Sequence, residues 1–244
     1  MSDRGTNAKP TRSAEMVINA GLYPDLLRAG GLAPALRETA HAMKIDLGPV
    51  NGQSGDGRHI TAKIESSRGT ISILLGVEMR QFSINIYGST FSWAYGFTDS
   101  LVDVARVADA WRANVTLREL IRRFPFMDYD EVAASYENGT PIEGQWERLF
   151  ADSDLIEMQG LLRSAHARRE LATLFPYVSH MTLRFVADPH ARSGATMSIT
   201  PSATGVMRVE ILGRSETRRE VPSIDDAVEL AVLYSAMLAP PVGE

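Results

Sequence analysis

The chain has 244 residues, 44% of them apolar and 23% charged, with a formal net charge of −5. That is ample for a hydrophobic core in one large domain or two small ones, and the acidic balance argues against a nucleic-acid surface as the main role. Cys is absent, which excludes disulfides, thiolate metal sites and a Cys nucleophile, and the only lysines, Lys9, Lys44 and Lys63, leave little scope for Schiff-base chemistry.

Met1 to Ser13 is polar and lacks the apolar run of a secretory leader, so residues 1–13 read as a disordered tail. An N-terminal α+β unit is expected over residues 14–115. Two helices open it, about Ala14 to Ala29 and Leu32 to Met43, punctuated by Gly30-Gly31. A meander follows, in which Ile60, Ala62 and Ile64, then Ile71, Ile73, Leu75 and Val77, then Phe82, Ile84 and Ile86 alternate with polar residues. Period two places each set on one side of a sheet. A fourth strand carries the aromatic row Phe91, Trp93, Tyr95 and Phe97, expected to pack against the helix that starts at Ser100. Ser100 with Asp103 fits an N-cap, and Leu101, Val104, Ala105, Ala108 and Trp111 form a stripe at helical spacing. The longest apolar stretch, Ile71 to Val77, is far short of a membrane span.

Residues 116–177 read as a helical middle segment. Thr116 with Glu119 is a capping box, Asp128 with Glu131 and Asp154 with Glu157 are further starts, and Thr140-Pro141-Ile142-Glu143 combines a cap, an N1 proline and an N3 acid. Arg118-Glu119-Leu120 leading to Phe124-Pro125-Phe126 is echoed by Arg169-Glu170-Leu171 leading to Phe175-Pro176-Tyr177. In each, the proline should stop a short helix.

Residues 178–244 repeat the opening grammar as a C-terminal meander plus helix. Met181, Leu183 and Phe185 alternate, as do Met197 and Ile199, then Met207, Val209 and Ile211. Ser223 with Asp226 caps a helix whose stripe is Ile224, Ala227, Val228, Ala231 and Tyr234, and Ala239 to Glu244 is a frayed end. Ile84 to Gly88 aligns with Val209 to Gly213, Ser100 to Asp103 with Ser223 to Asp226, and Trp111 with Tyr234. The expected fold class is α+β: two antiparallel β-meander-plus-helix units, with the marks of an internal duplication, flanking a helical middle segment.

Chemistry-bearing motifs are sparse. His41, His59, His166, His180 and His190 form no HExxH or facial set, and Asp152-Ser153-Asp154 sits where a cap is needed. The glycines Gly52, Gly55 and Gly57 precede a strand, not a helix, so no helix dipole faces a phosphate there. No metal and no cofactor are expected. His180 stands out: if Met181, Leu183 and Phe185 face a core, His180, Thr182 and Arg184 share the opposite face. An imidazole beside a guanidinium could bind a carboxylate or move a proton, with Tyr177 as a second donor. Trp146, Trp93 and Tyr95 are candidate ligand contacts, each weighed against a packing role. Arginines cluster at Arg118, Arg122 and Arg123, at Arg163, Arg168 and Arg169, and at Arg214, Arg218 and Arg219, where interspersed acids favour surface pairing.

Phe124-Pro125-Phe126, Trp146, Leu174-Phe175-Pro176-Tyr177 with Ser179-His180, and the opening Tyr23-Pro24-Asp25 to Ala29-Gly30-Gly31-Leu32 together resemble an actinobacterial family of unknown function. Its members are labelled as natural-product biosynthesis proteins. The resemblance implies a biosynthetic setting and no established reaction. The function expected is a cytoplasmic accessory or binding protein in a specialised-metabolite pathway. Its partner is a pathway protein, a peptide, a carrier or a small molecule, without nucleic acid or membrane, and a homo-oligomer is compatible. The alternatives are a metal-free cyclase, lyase or isomerase using His180 as acid/base, Arg184 as anion clamp and Tyr177 as orienting group, and an immunity or self-resistance protein.

Overall fold

The structure, a computed structural model, describes residues 18–52, 60–190, 194–202 and 204–238. The expected tail over 1–13, most of the glycine-rich stretch after Gly52, His59 and the frayed C-terminal end lie outside the described residues. The fold is α+β with two antiparallel sheets, and the chain divides into two compact units. The first comprises Met1–Asn85 and Gly96–Val115; the second comprises Ile86–Tyr95 and Thr116–Glu244.

The first unit opens with α1 (Pro24–Arg28) and α2 (Leu32–Ala42). The expected long first helix shrinks to α1. Asn19 folds its side chain back to accept from the Gly21 amide at 2.9 Å, an Asx turn, and Pro24 then restarts the helix at N1, where its missing N–H is harmless. A meander follows: β1 (Val50–Gly52), β2 (Thr61–Ser66), β3 (Gly69–Leu75), β4 (Phe82–Tyr87) and β5 (Ser92–Thr98). Ala62, Ile64, Ile71, Ile73, Phe82 and Ile84 point inward and are fully buried. Then α3 (Leu101–Arg112) begins at Ser100, whose hydroxyl accepts from the Asp103 amide at 3.2 Å.

Tyr23 ties α1 to the β3–β4 loop. Its hydroxyl lies 2.8, 3.1 and 3.0 Å from the carbonyls of Gly76, Met79 and Gln81, and accepts from the Gln81 amide. Arg80 adds a two-pronged bridge to Asp25 at 2.8 Å and donates to the Leu22 carbonyl. A cavity of about 180 Å³ lies beside this latch, lined by Ile18, Tyr23, Ile60, Leu75 and Val77 among others.

The second unit takes the tip of the β4–β5 hairpin, then α4 (Leu117–Arg123), β6 (Met127–Asp128), α5 (Glu131–Asn138), α6 (Pro141–Ala151), a 3-10 helix (Ser153–Met158), α7 (Gln159–His166) and α8 (Arg169–Ala172). The sheet order is β1-β2-β3-β4-β5-β6. A second meander follows: β7 (Phe175–Ser179), β8 (Thr182–Val186), β9 (Met197–Pro201), β10 (Met207–Ile211) and β11 (Arg214–Val221), in the order β11-β10-β9-β8-β7, ending in α9 (Ile224–Ser235). Ser223 caps α9 through the Asp226 amide as Ser100 caps α3 through that of Asp103, so strand, hairpin, strand, serine cap and helix recur in the same order.

The aromatic row on β5 faces the other way from expectation. Ala94 and Gly96 are buried, while Tyr95 is 42% and Phe97 52% exposed. Size reversed the sequence pattern: the small residues take the buried side, and the aromatics the open side. The caps also differ in detail. Thr116 accepts from the Glu119 amide as a capping box requires, but Thr140 makes no side-chain cap bond, and Asp152, not Asp154, caps the 3-10 helix by accepting from the Asp154 amide.

Among the described residues, no helix is long and apolar enough to cross a membrane.

Candidate functional site: the outer face of the five-stranded sheet

The five-stranded sheet of the second unit has two unlike faces. Leu183, Phe185, Met197, Ile199, Val209 and Ile211 form one, buried with Leu161, Leu162, Ala227 and Ala231 of α7 and α9. Alternation sends the intervening side chains to the other face. Registration there sets Tyr177 opposite Arg184, Arg184 opposite Ser198 and Ser198 opposite Glu210. One step along, Ser179 faces Thr182, and Thr200 faces Arg208, which faces Glu220. Thr182 and Thr200 join the two runs through a 3.3 Å hydroxyl contact. The centre of this face is small and polar: Ser198 is 2% and Thr182 8% exposed.

Arg184 and Arg208 lie down against it. The Nε of each is buried without a hydrogen-bond partner. Such a donor forfeits about 1–3 kcal/mol of hydration until an acceptor reaches it. Arg208 has Glu210 at 4.0 Å. Arg184 instead has its guanidinium carbon 5.9 Å from the Tyr177 ring centroid. The structure therefore brings Tyr177 and Arg184 together as cross-strand neighbours.

His180 is not on their strand. His180 and Met181 form the two-residue turn between β7 and β8, with φ of 50° and 57°. Both central residues with positive φ are the requirement of the tight hairpin turn that matches strand twist. The alternation expected from Met181 thus starts two residues late: Met181 is 42% exposed, and Leu183 and Phe185 alone reach the core. His180 stands exposed at the hairpin tip, its Nδ1 3.1 Å from the Ser179 hydroxyl.

The three other proposed contacts are separated. Trp146 is 2% exposed and is a packing anchor. Its Nε1 donates to the Ala172 carbonyl at 3.2 Å, and its ring meets Phe150, His166 and Phe185 at 5.8, 4.9 and 6.1 Å. Tyr95 reaches Asp128 at 3.4 Å. Trp93 belongs to an aromatic group that the sequence did not reveal. Phe91 packs on Trp93 at 4.5 Å and stacks on Tyr136 at 3.7 Å, and Tyr136 also meets Phe175 at 6.3 Å and His190 at 5.1 Å. Tyr136 and Thr90 both donate to the Pro189 carbonyl, at 3.2 and 2.7 Å. Burial pushes the Tyr136 phenol pKa up, and the Asp188 charge adds to it. Phe175 and Tyr177 are on the same side of β7, so this group borders the Tyr177–Arg184 pair.

Many of the clustered arginines are satisfied at the surface. Arg122 and Arg123 both hold Glu119, at 2.7 and 2.6 Å, and lower its carboxyl pKa to about 2. Arg168 pairs with Glu229, and Arg219 donates to the Glu216 and Arg218 carbonyls. Among the described residues, no three of His, Asp and Glu are grouped to hold a metal ion.

Comparison with known proteins reaches this part of the chain. Residues 140–234, from α6 into α9, match a family of unknown function, DUF6193. The matched stretch contains Tyr177, Arg184, Ser198 and Arg208. No curated protein and no solved structure matches the chain.

Proposed function

We propose that this chain is a binding protein that holds a small molecule or a peptide, free or on a carrier, against the outer face of its five-stranded sheet. One observation carries this reading: the half-buried Arg184, with its buried and unpartnered Nε, beside Tyr177 on a polar sheet face. A sheet face supports such a role because alternate side chains are fixed by the ladder, so the contacting groups are held in place before the ligand arrives. The earlier resemblance supports placing it as an accessory protein in an actinobacterial specialised-metabolite pathway. The His180 acid/base alternative needs the imidazole on the Arg184 strand, and its place in the turn weighs toward binding.

The test is native mass spectrometry of the full chain after incubation with extract from cells that carry its gene. A discrete small-molecule or peptide adduct is expected. A bare protein mass across extracts from both growth and production phases would overturn the proposal.

A further inference from the structure

The environment of Arg184 also specifies the class of group it takes, granted that the outer face is the ligand surface. We infer that this group is an oxyanion, a carboxylate or a phosphate.

The nearest side chains leave Arg184 as an uncompensated cation. Arg80, Arg122, Arg123 and Arg168 each have a carboxylate partner. Among the described residues, none lies within 4.0 Å of Arg184. Its cross-strand neighbours are Tyr177 on one side and Ser198 on the other, an aromatic ring and a hydroxyl. Glu210 stands beyond Ser198 and lies 4.0 Å from Arg208. The arrangement therefore offers donors and positive charge at Arg184 and puts the acid one strand further away. A guanidinium near an aromatic face is held in orientation and keeps its N–H groups as a planar fork. Carboxylate and phosphate oxygens match that fork, and charge-assisted hydrogen bonds of this type are roughly twice as strong as neutral ones. The Ser198 hydroxyl, a neighbouring-strand spacing of about 4.8 Å away, is placed to donate a further bond. Arg208 lies two strands over and two residues along, about 12 Å by backbone spacing, and acts on the anion through its charge alone.

The Nε–H of Arg184 is itself the reporter. In a ¹H–¹⁵N spectrum of the full chain, its Nε–H signal is assigned by its loss in Arg184→Lys. The probes are inorganic phosphate and acetate, each at ionic strength held constant with chloride. The expected result is a saturable shift of that signal with phosphate, acetate or both, and none with chloride alone. The relative affinities of the two arms identify phosphate or carboxylate as the preferred source. Arg184→Lys is expected to weaken the anion at least about tenfold, one charge-assisted hydrogen bond's worth, read from thermal stabilisation. Arg208→Gln is expected to weaken it only about twofold, as suits a charge about 12 Å away in water. A response to chloride equal to that of phosphate and acetate, or no response to either, overturns the oxyanion assignment. A neutral adduct found by native mass spectrometry and dependent on Arg184 would overturn it too, while leaving the binding proposal standing. Native spectra with no adduct would instead count against the binding proposal.

Discussion

Adding a single methyl group at Gly144 should separate α5 from α6. A Cβ built there would lie 2.3 Å from the Ser135 Cβ and 2.6 Å from its Oγ. Ser135 is 7% exposed and its hydroxyl is held by the Val132 carbonyl at 2.7 Å. The offending Cβ is fixed to the α5 backbone, so no side-chain rotation relieves the clash. Overpacking of this kind costs about 1–3 kcal/mol, against a helix-propensity gain of about 1 kcal/mol for Ala over Gly. With the contact so short, the upper half of the range applies, and Gly144→Ala should lose about 1–2 kcal/mol net, or about 2–8 °C in Tm. The decisive assay is a double-mutant cycle by urea unfolding with Ser135→Gly. In that background the methyl group has room, and Gly144→Ala should become neutral or stabilising by up to about 1 kcal/mol. Equal destabilisation in both backgrounds, or no effect of Gly144→Ala alone, would refute the close-packed helix pair. The outcome bears on the site's border, because Tyr136, next to Ser135, carries the stack on Phe91.

Trp146→Ala should cost about 3–5 kcal/mol in chemical unfolding, the range for a buried Trp; a loss under about 1 kcal/mol would mean the ring is not an anchor. Tyr136 should titrate above the ordinary tyrosine value in ultraviolet absorbance. Its folded pKa is raised, so its contribution to stability is full below pH about 10 and is lost as pH rises through the folded value. Titration of all tyrosines together at the ordinary value would contradict its burial. Asp25 has the opposite sign. Arg80 holds its carboxyl pKa down, so its contribution is present above pH about 4 and is lost as pH falls through the lowered value. The pair is about one-third exposed, 32% and 38%, so Asp25→Asn should lose at most about 1 kcal/mol at neutral pH, and the variant should be less sensitive to acid; an unchanged acid profile would contradict the latch.

The two meanders were legible because Ile71, Ile73, Phe82 and Ile84, and later Met197, Ile199, Val209 and Ile211, alternate without interruption, and the serine caps at Ser100 and Ser223 bound the helices that follow. Two elements depart from the sequence pattern, each for its own reason. On β5 the aromatics have the bulk that usually marks burial, whereas Ala94 and Gly96 occupy the buried side. At His180 and Met181 the alternation ran on through a turn, because neither residue is the Gly, Asn or Asp that usually marks positive φ. Tyr177 and Arg184 were both named as candidates, but Tyr177 fell at the end of the expected helical segment, and only the strand register sets it opposite Arg184. Arg208 and Ser198 were not singled out, although their alternation with Met207, Val209, Met197 and Ile199 placed them on the same face. The Tyr136 group was invisible, since Phe91, Tyr136, Phe175 and His190 are scattered along the chain and only tertiary packing gathers them.

The outer face of the five-stranded sheet is tested most directly by comparing two charge removals in native mass spectrometry with the same cell extract. Arg184→Gln removes the unpartnered guanidinium, and Arg122→Gln removes one that Glu119 already holds. The adduct should survive in Arg122→Gln and be lost or reduced at least about tenfold in Arg184→Gln, with both variants keeping the wild-type Tm within a few degrees. An adduct retained at full occupancy in Arg184→Gln would place the ligand elsewhere on the protein and contradict the account.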